Sequence, residues 1–266
     1  MFGKLPQAEN APALELLASI QTDAGCVRSH NEDSSHYVCP NDPGLLARKG
    51  ALVIVADGMG GHACGEVASH MAVEAINRVY YVTTGDIRAT LAEAVRQANR
   101  EIFQFAAQDN SLTGMGTTCV LLAIVGGFAY WAHVGDSRLY LQREQQIYQL
   151  TEDHSAVMEM VRLGLLSREE AQNHPDKNII LRAVGMQAEV EAEMGKSSLP
   201  VLPGDQFLLC SDGLSDLVSA DEMKDILLAH DPHAASTALI TLAKERGGHD
   251  NITVAIVKAN TTGTAA

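Results

Sequence analysis

Apolar, strand-like runs in this 266-residue chain stop or start at an aspartate that stands beside a glycine or an asparagine. Such an arrangement holds a carboxylate on a rigid scaffold, and glycine lets the backbone approach a ligand closely. The chain is therefore expected to gather carboxylates where its strands end. The pairs are Asp57-Gly58 after run 51–56, Asp212-Gly213 after run 206–211, and Asp250-Asn251 before run 252–257.

A further segment, 28–33, places Glu32 and Asp33 close to Arg28. Carboxylates that are gathered in one place repel one another unless a cation neutralises them. Sites with only oxygen ligands suit hard ions such as Mg²⁺ and Mn²⁺. The pattern predicts a metal-dependent hydrolase built around a cage of carboxylates.

Eight short segments follow one another in an order that resembles the bacterial metal-dependent protein phosphatases of the type 2C (PPM) family. A single Asp-Gly pair is ordinary turn chemistry, whereas eight ordered segments are specific. The resemblance extends from about residue 19 to residue 257. The segments are RSHNED (28–33), DGMGGH (57–62), GMGTT (114–118), VGDSR (134–138), LTEDHS (150–155), RAVG (182–185), SDG (211–213) and DN (250–251).

The resemblance implies a set of metal ligands. Asp57 corresponds to the carboxylate that bridges two tightly bound Mn²⁺ or Mg²⁺ ions, and the Gly58 carbonyl to a ligand of one of them. Asp212 and Asp250 correspond to ligands of the first ion, and Glu32 to the acid of the second. A turn aspartate, Asp136, is expected to share Asp212 with a third, weaker ion.

Arg28 is expected to bind the substrate phosphate, because its planar guanidinium matches two phosphate oxygens and its charge does not titrate. The alternative is a surface salt bridge to Glu32 or Asp33. Met59 stands where some family members carry a histidine, and methionine cannot donate a proton, so the identity of any general acid stays open. Three side chains are expected to support the ligands without binding metal: Asp33, His62 and Asn251.

The function implied by the resemblance is that of a protein serine/threonine phosphatase, in which a metal-bridging water attacks phosphorus directly. Its substrates are expected to be phosphorylated proteins, and the opposing enzyme a bacterial Hanks-type serine/threonine kinase. Two alternatives stay open: a pseudophosphatase or phosphopeptide-binding scaffold, and a metal-dependent hydrolase of another phosphoester. A scaffold of that kind usually lacks one ligand acid, and here all are present.

Composition excludes other classes of protein. A formal net charge of −14 disfavours a nucleic-acid binder, which needs a basic face. No apolar stretch is long enough for a membrane span, and no secretory signal is recognisable. Five cysteines without a Cys-x-x-Cys pair favour a reducing compartment, and hence a cytoplasmic protein without a membrane partner.

The pattern of apolar residues predicts an α+β domain. Long amphipathic helices are expected at 65–81 and 86–106, with two more at 220–230 and 232–246. Gly126-Gly127 predicts a hairpin turn, and Ser167 with Glu170 a capping box. Nine strands are expected, at 14–22, 51–56, 117–125, 128–134, 137–143, 146–150, 190–194, 205–210 and 251–257.

The resemblance adds the layout of the domain. It implies a four-layer sandwich of two central antiparallel β-sheets flanked by helix pairs, with the metals at one end. The catalytic domain is expected to span residues 14–259, and a helical flap to occupy about 153–182. Residues 1–13 and 260–266 are expected to be loose termini.

Overall fold

The computed structural model describes residues 14–60, 64–172 and 174–261, which fold into twelve strands and eight α-helices. The strands are β1 (Leu14–Asp23), β2 (Asp33–Val38), β3 (Ala51–Met59), β4 (Gly116–Thr117), β5 (Cys119–Val125), β6 (Phe128–Val134), β7 (Arg138–Arg143), β8 (Gln146–Gln149), β9 (Glu193–Met194), β10 (Leu199–Pro200), β11 (Gln206–Cys210) and β12 (Ile252–Thr261). The α-helices are α1 (Pro43–Lys49), α2 (Cys64–Val82), α3 (Ile87–Ala106), α4 (Ala156–Arg162), α5 (Arg168–Gln172), α6 (Asp212–Ser215), α7 (Ala220–Ala229) and α8 (Pro232–Glu245).

The strands form two antiparallel sheets. One sheet has the order β1-β12-β11-β7-β8, and the other has the order β10-β6-β5-β3-β2, with β4 added to β3 and β9 added to β6. The β6–β7 connection passes from the second sheet to the first, so the short turn at 135–137 joins the two sheets.

Three buried apolar layers hold the two sheets and the helices together in a stack. The β-strands alternate their side chains between two faces, so each central sheet buries both faces. Leu122, Phe207 and Val257 belong to the layer between the sheets. Ile76 and Leu91 belong to the layer between α2, α3 and the second sheet. A third layer lies between the first sheet and α7 and α8. The predicted α+β sandwich of four layers is confirmed.

Local signals in the sequence account for most element boundaries. Gly126 and Gly127 have φ angles of 56° and 80°, which L-residues rarely adopt, and they form the predicted turn between β5 and β6. Helix α3 begins after Asp86, whose side chain accepts a hydrogen bond from the backbone N–H of Ala89. The four predicted long helices are present as α2, α3, α7 and α8.

The helical insert, which we define as residues 153–182, contains α4 and α5. Ser155 caps α4 by accepting a hydrogen bond from the Met158 N–H. The predicted capping box is present, because Ser167 Oγ accepts from the Glu170 N–H while the Glu170 carboxylate accepts from the Ser167 N–H.

Several sequence-based expectations differ from the structure. Strand β2 and helix α1 were not expected, and β9 covers only Glu193–Met194 of the predicted strand 190–194. Strand β12 continues to Thr261, because its residues pair with β1 as far as Leu14 opposite Thr261. Residues 260 and 261 therefore belong to the sheet and not to a loose terminus. The expectation for residues 1–13 and 262–266 lies outside the described residues.

Two further observations concern the chain as a whole. Cys119 and Cys210 are buried in the core, as their apolar runs predicted, and the five cysteines are free thiols. None of the helices in the described ranges combines the length and the apolar character that a membrane crossing demands.

Candidate active site

The carboxylates that the sequence singled out come from the ends of strands in both sheets. Asp57 lies near the end of β3, and Asp33 begins β2 directly opposite it in the antiparallel register. Asp212 follows β11 and begins α6, and Asp250 precedes β12. Ser211 joins the two sheets at this end, since its Oγ donates to Asp33 Oδ2 at 2.8 Å.

Asp57 is held through its backbone. Its N–H donates to Thr118 Oγ1 at 3.1 Å, and its carbonyl accepts from the Thr118 N–H and from Thr117 Oγ1, both at 2.8 Å. Thr118 Oγ1 also shares a hydrogen bond of 2.6 Å with Ser137 Oγ in the turn that joins the sheets. These bonds fix the position of the residue and leave its carboxylate available.

Glu32 is fixed by neighbours in three parts of the chain. Its N–H donates to Asn251 Oδ1 at 2.8 Å, and its carbonyl accepts from Ser69 Oγ at 2.6 Å and from the Gly58 N–H at 3.2 Å. The Asn251 amide also donates to two backbone carbonyls, at 3.1 and 2.9 Å. Asn251 therefore holds the loop that carries Glu32 against the start of β12.

Close backbone approach explains two glycines at the site. A Cβ on Gly58 would lie 2.1 Å from the Gly65 carbonyl oxygen, and one on Gly65 would lie 2.7 Å from Glu32 Oε2. Only glycine at both positions lets the first turn of α2 pack directly on the end of β3. The sequence predicted that glycine lets the backbone approach a ligand closely. In the structure, Gly58 and Gly65 let α2 approach β3 closely beside Glu32.

Asp136 occupies the turn between β6 and β7 and is buried, with 7% of its surface exposed. Gly135 precedes it with a φ of 101°, and a Cβ there would lie 2.7 Å from Thr118 Cβ. The turn is therefore packed against the residue that holds Asp57. Asp136 and Asp212 both line one cleft.

The electrostatics of the site favour a bound cation. Burial raises the pKa of Asp57 well above its usual range, and the charges of the other carboxylates act in the same direction. Burial also raises the pKa of Asp33 to about 7, of Asp136 to about 8 and of Asp212 to about 6. Ionised carboxylates are costly in such a place unless positive charge compensates them.

Unsatisfied oxygen atoms point to the same conclusion. Asp33 Oδ1, Asp136 Oδ1 and Asp212 Oδ1 are shielded from solvent and have no hydrogen-bond partner among the described residues. Buried polar atoms normally have a partner, and exceptions call for an ion or a water. Hard divalent cations prefer carboxylate and carbonyl oxygens of this kind. The donor set therefore fits Mg²⁺ or Mn²⁺.

Arg28 lies at the exposed rim of this site. Its Nη2 donates to Asp250 Oδ2 at 2.8 Å, and about half of its side chain is exposed. The partner is thus Asp250, and not Glu32 or Asp33 as the alternative interpretation expected. Only Nη2 has a partner in the described part of the chain, so the N–H groups on Nε and Nη1 remain available to an incoming anion.

A second group of potential ligands, His133, His154 and Glu193, has ligand atoms within 4.8 Å of one another. Its hydrogen bonds argue against a metal. His154 Nδ1 accepts from the Gly135 N–H at 3.1 Å, so its Nε2 carries the proton and donates to Glu193 at 3.2 Å. A protonated ring nitrogen has no lone pair for a metal. The group instead anchors Gly135, the neighbour of Asp136.

The structure brings Asp33, Asp57, Asp212 and Asp250 to one end of the sandwich, with Glu32 and Arg28 on the adjoining loop, and His62 lies outside the described residues. The sequence reasoning missed three hydroxyl side chains that position the site. They are Ser69, Thr118 and Ser211, and the last two stand inside the motifs GMGTT and SDG, which was the available signal.

Comparisons with known proteins show the family of the chain. The family model described as protein phosphatase 2C matches residues 29–242. The serine/threonine phosphatase stp of Listeria innocua is 41% identical over 249 residues, which are 91% of this chain and 96% of that protein.

Solved structures agree as well. The crystal structure of the Mycobacterium tuberculosis serine/threonine phosphatase PstP/Ppp has a TM-score of 0.82 and 37% identity, and covers 92% of this chain and 99% of that chain. A crystal structure of the catalytic domain of PstP in complex with 2 manganese ions has a TM-score of 0.80 and 36% identity, and covers 93% of this chain and 100% of that chain. With a family model over most of its length and these relatives, the chain belongs to the protein phosphatase 2C family of metal-dependent phosphatases.

Proposed function

We propose that this chain is a metal-dependent protein serine/threonine phosphatase that hydrolyses phosphoserine and phosphothreonine in proteins. The observation that carries the proposal is the set of buried, unpartnered carboxylate oxygens beside an exposed arginine. Membership of the family and the names of the relatives support the reaction and the class of substrate.

The proposed ligands are those that the family resemblance implies, and the gathering of Asp57, Asp212 and Asp250 at one end of the sandwich supports them. Asp57, the Gly58 carbonyl, Glu32, Asp212 and Asp250 would hold the two tight ions. Divalent ions at this place supply Lewis-acid chemistry, which polarises phosphoryl oxygen and makes a nucleophile from water at neutral pH. Mn²⁺ or Mg²⁺ is the proposed pair, and the two manganese ions in the PstP structure support that choice.

The remaining residues position the ligands and the substrate. Thr118 and Asn251 hold Asp57 and Glu32 through their backbones, and Ser211 orients Asp33. Arg28 lies at the rim of the site with Nη2 on Asp250, and its other guanidinium N–H groups would be available to the phosphate. Arg28 then orients the phosphoryl group for attack and neutralises part of its charge.

Two finer assignments belong to the same proposal. Asp136, together with Asp212, holds a third and weaker ion, which its buried and unpartnered Oδ1 supports. The helical insert acts as a flap beside the site, and Met158 and Arg168 support this because they line the same cleft as Asp136. A bacterial Hanks-type kinase is the proposed opposing enzyme. The proposed catalytic domain extends from about residue 14 to residue 261.

An assay with defined phosphopeptides tests the proposal. Wild-type protein is given phosphoserine, phosphothreonine and phosphotyrosine peptides and a nucleotide, each with Mn²⁺, Mg²⁺ or excess EDTA. We expect metal-dependent turnover of the first two peptides and none in EDTA. Binding of phosphopeptide without turnover would instead identify a scaffold, and faster turnover of the nucleotide would identify a different phosphoester hydrolase. Full activity in EDTA would contradict the metal assignment.

A further inference from the structure

A cleft of about 350 Å³ opens from the proposed third-ion site. Asp136 and Asp212 lie at one end of it. The helical insert forms one wall, which includes Arg168 at the start of α5, and the segment from α6 to the start of α7 forms the other. A peptide with its phosphoryl group in the metal site can therefore extend its neighbouring residues into this cleft.

The cleft contains polar atoms that have no partner. Ser215 Oγ, Asp136 Oδ1 and Asp212 Oδ1 all line it, and within the described ranges each is buried without a hydrogen bond. A surface that was only structural would be expected to satisfy these groups internally. Their arrangement is typical of a surface that is completed by ions, by water and by a ligand.

The charges that line the cleft largely cancel in pairs. Arg138 pairs with Asp153 at 2.6 Å, and Lys177 pairs with Asp216 at 2.6 Å. The third pair, which also lies in the wall of the cleft, joins Arg246 to Glu222. These three cations are therefore already neutralised by carboxylates of the chain itself.

Arg168 is different from these three cations. It lines the cleft and is exposed, and it makes no ion pair or side-chain hydrogen bond within the described part of the chain. Nearby Glu170 cannot serve it well, because its carboxylate already accepts from the Ser167 N–H and Oγ. With Asp136 and Asp212 bound to metal, Arg168 is the charge in the cleft wall that remains uncompensated.

We propose that the cleft receives the residues that flank the phosphorylated serine or threonine of a protein substrate, and that Arg168 selects an acidic side chain there. This inference rests on the proposed function. The planar guanidinium matches a carboxylate through two parallel hydrogen bonds, and a lysine side chain on the substrate meets like charge instead. The preference is notable because the chain as a whole is strongly acidic and otherwise repels acidic peptides.

The expected effect is modest because the pair is exposed to solvent. Exposed ion pairs change an equilibrium by about 1.5- to 5-fold, so charge reversal is needed for a clear signal. Selectivity is best expressed as the ratio of kcat/KM for two peptides within one variant, since this ratio cancels any change in the common rate.

The experiment uses full-length protein with Mn²⁺ and phosphoserine peptides that differ at one flanking position, which carries Glu, Gln or Lys. The position is scanned over three residues on each side of the phosphoserine. Wild type, Arg168→Gln and Arg168→Glu are compared. Arg162→Gln and Arg162→Glu are the matched controls, because Arg162 lies in the same insert but pairs with Glu159 and does not line the cleft.

We expect wild type to prefer Glu over Lys at one or more positions by about 2- to 5-fold. The preference should vanish in Arg168→Gln and invert in Arg168→Glu, and the Arg162 variants should keep the wild-type ratio. An unchanged ratio in Arg168→Glu overturns the inference, as does an equal shift in both sets of variants, which would indicate only long-range charge. Turnover without any dependence on flanking charge overturns this inference alone. No turnover of any phosphopeptide by wild type overturns the proposed function and this inference with it.

Discussion

Asp57 shows how one residue can be well placed and yet costly for the metal-free protein. Its backbone makes three hydrogen bonds with Thr117 and Thr118, and its carboxylate is surrounded by four other acids. The short motif DGMGG made the residue visible in the sequence. The hydroxyl groups that hold it could not be assigned, because the contact depends on how β3 pairs with β4 and β5.

Replacing Asp57 by asparagine keeps the shape of the side chain and removes its charge. We expect turnover to be abolished, since the residue is assigned to both ions, and the melting temperature in EDTA to equal or exceed that of wild type, since one source of repulsion is lost. Phosphopeptide assays and thermal unfolding measure the two effects. Asp225→Asn, on an exposed helix face, is the control for both. A folded Asp57→Asn protein with a near wild-type rate would rule out the bridging role.

Arg28→Ala tests the assignment of this residue to substrate. Losing a charge-assisted pair of hydrogen bonds should raise KM for phosphopeptide by about ten- to hundredfold. The ion pair with Asp250 is exposed, so the free energy of unfolding should change by less than about 1 kcal/mol. Arg28→Lys keeps the charge and loses the fork, and should give an intermediate KM. A large loss of stability with unchanged KM would identify a structural salt bridge.

Asp136→Ala tests whether Asp136 serves only the proposed third ion and not the two tight ions, whose proposed ligands we call the main cage. An ion held by few carboxylates binds weakly, because affinity for hard cations rises with the number of charged ligands. We therefore expect calorimetry to show both tight ions still bound, while the rate falls and no longer responds to metal at high concentration. Loss of tight binding would place Asp136 in the main cage. No change in binding or in rate would leave it a turn residue.

At the level of elements, the sequence predicted those whose signal is local. The hairpin of β5 and β6 follows from Gly126-Gly127, and α3 follows from its apolar spacing after Asp86. Strand β2 escaped prediction because it is an edge strand with the polar sequence DSSHYV, and its pairing with β3 is a tertiary contact. Helix α1 has only seven residues, too few for an apolar repeat to be recognised, and its ends are fixed by Asp42, Pro43 and Gly50.

Packing of α2 on the end of β3 yields a prediction for one glycine. Gly65→Ala would place a methyl group against Gly58 and Glu32, so we expect a loss of about 1–3 kcal/mol in unfolding free energy and weaker binding of the ion assigned to Glu32. Denaturant unfolding and calorimetry measure these. Gly44→Ala in α1 is the control, since its nearest contacts are flexible side chains. Equal stability of the two variants would show that α2 can shift away.

For the whole molecule, the raised pKa values predict how the metal-free protein responds to pH. A carboxyl with a raised pKa binds its proton more tightly in the folded than in the unfolded state, so stability is lost as pH rises through the folded value. The pKa is about 7 for Asp33 and about 8 for Asp136, so both groups still lose protons at and above neutral pH. His154 has the opposite effect on stability, because burial lowers its pKa to about 4. Its contribution raises stability as pH rises from about 4 to 6.5, and is constant above that pH.

We therefore expect the melting temperature in EDTA to fall between pH about 6.5 and about 8.5. The corresponding loss of unfolding free energy is at most about 1.4 kcal/mol per pH unit for each group that is still protonated. Saturating Mn²⁺ should remove most of this slope, and Asp136→Asn should reduce it in EDTA, since Asp33 and Asp57 still contribute. Thermal unfolding at a series of pH values provides the measurement. A flat or rising curve for the metal-free wild type would mean that the carboxylates are already ionised in the fold.

The supply of ligands from both sheets has one more consequence. Asp33 and Asp57 lie at the ends of paired strands of one sheet, and Asp212 and Asp250 border strands of the other, so the proposed ions would link the two sheets at that end alone. Without those ions, the mutual repulsion of the acids should let this end open transiently while the far end stays shut. Amide hydrogen exchange near residues 55–58 and 209–212 should then report metal occupancy directly, and the hairpin at 126–127 should exchange at the same rate in both states.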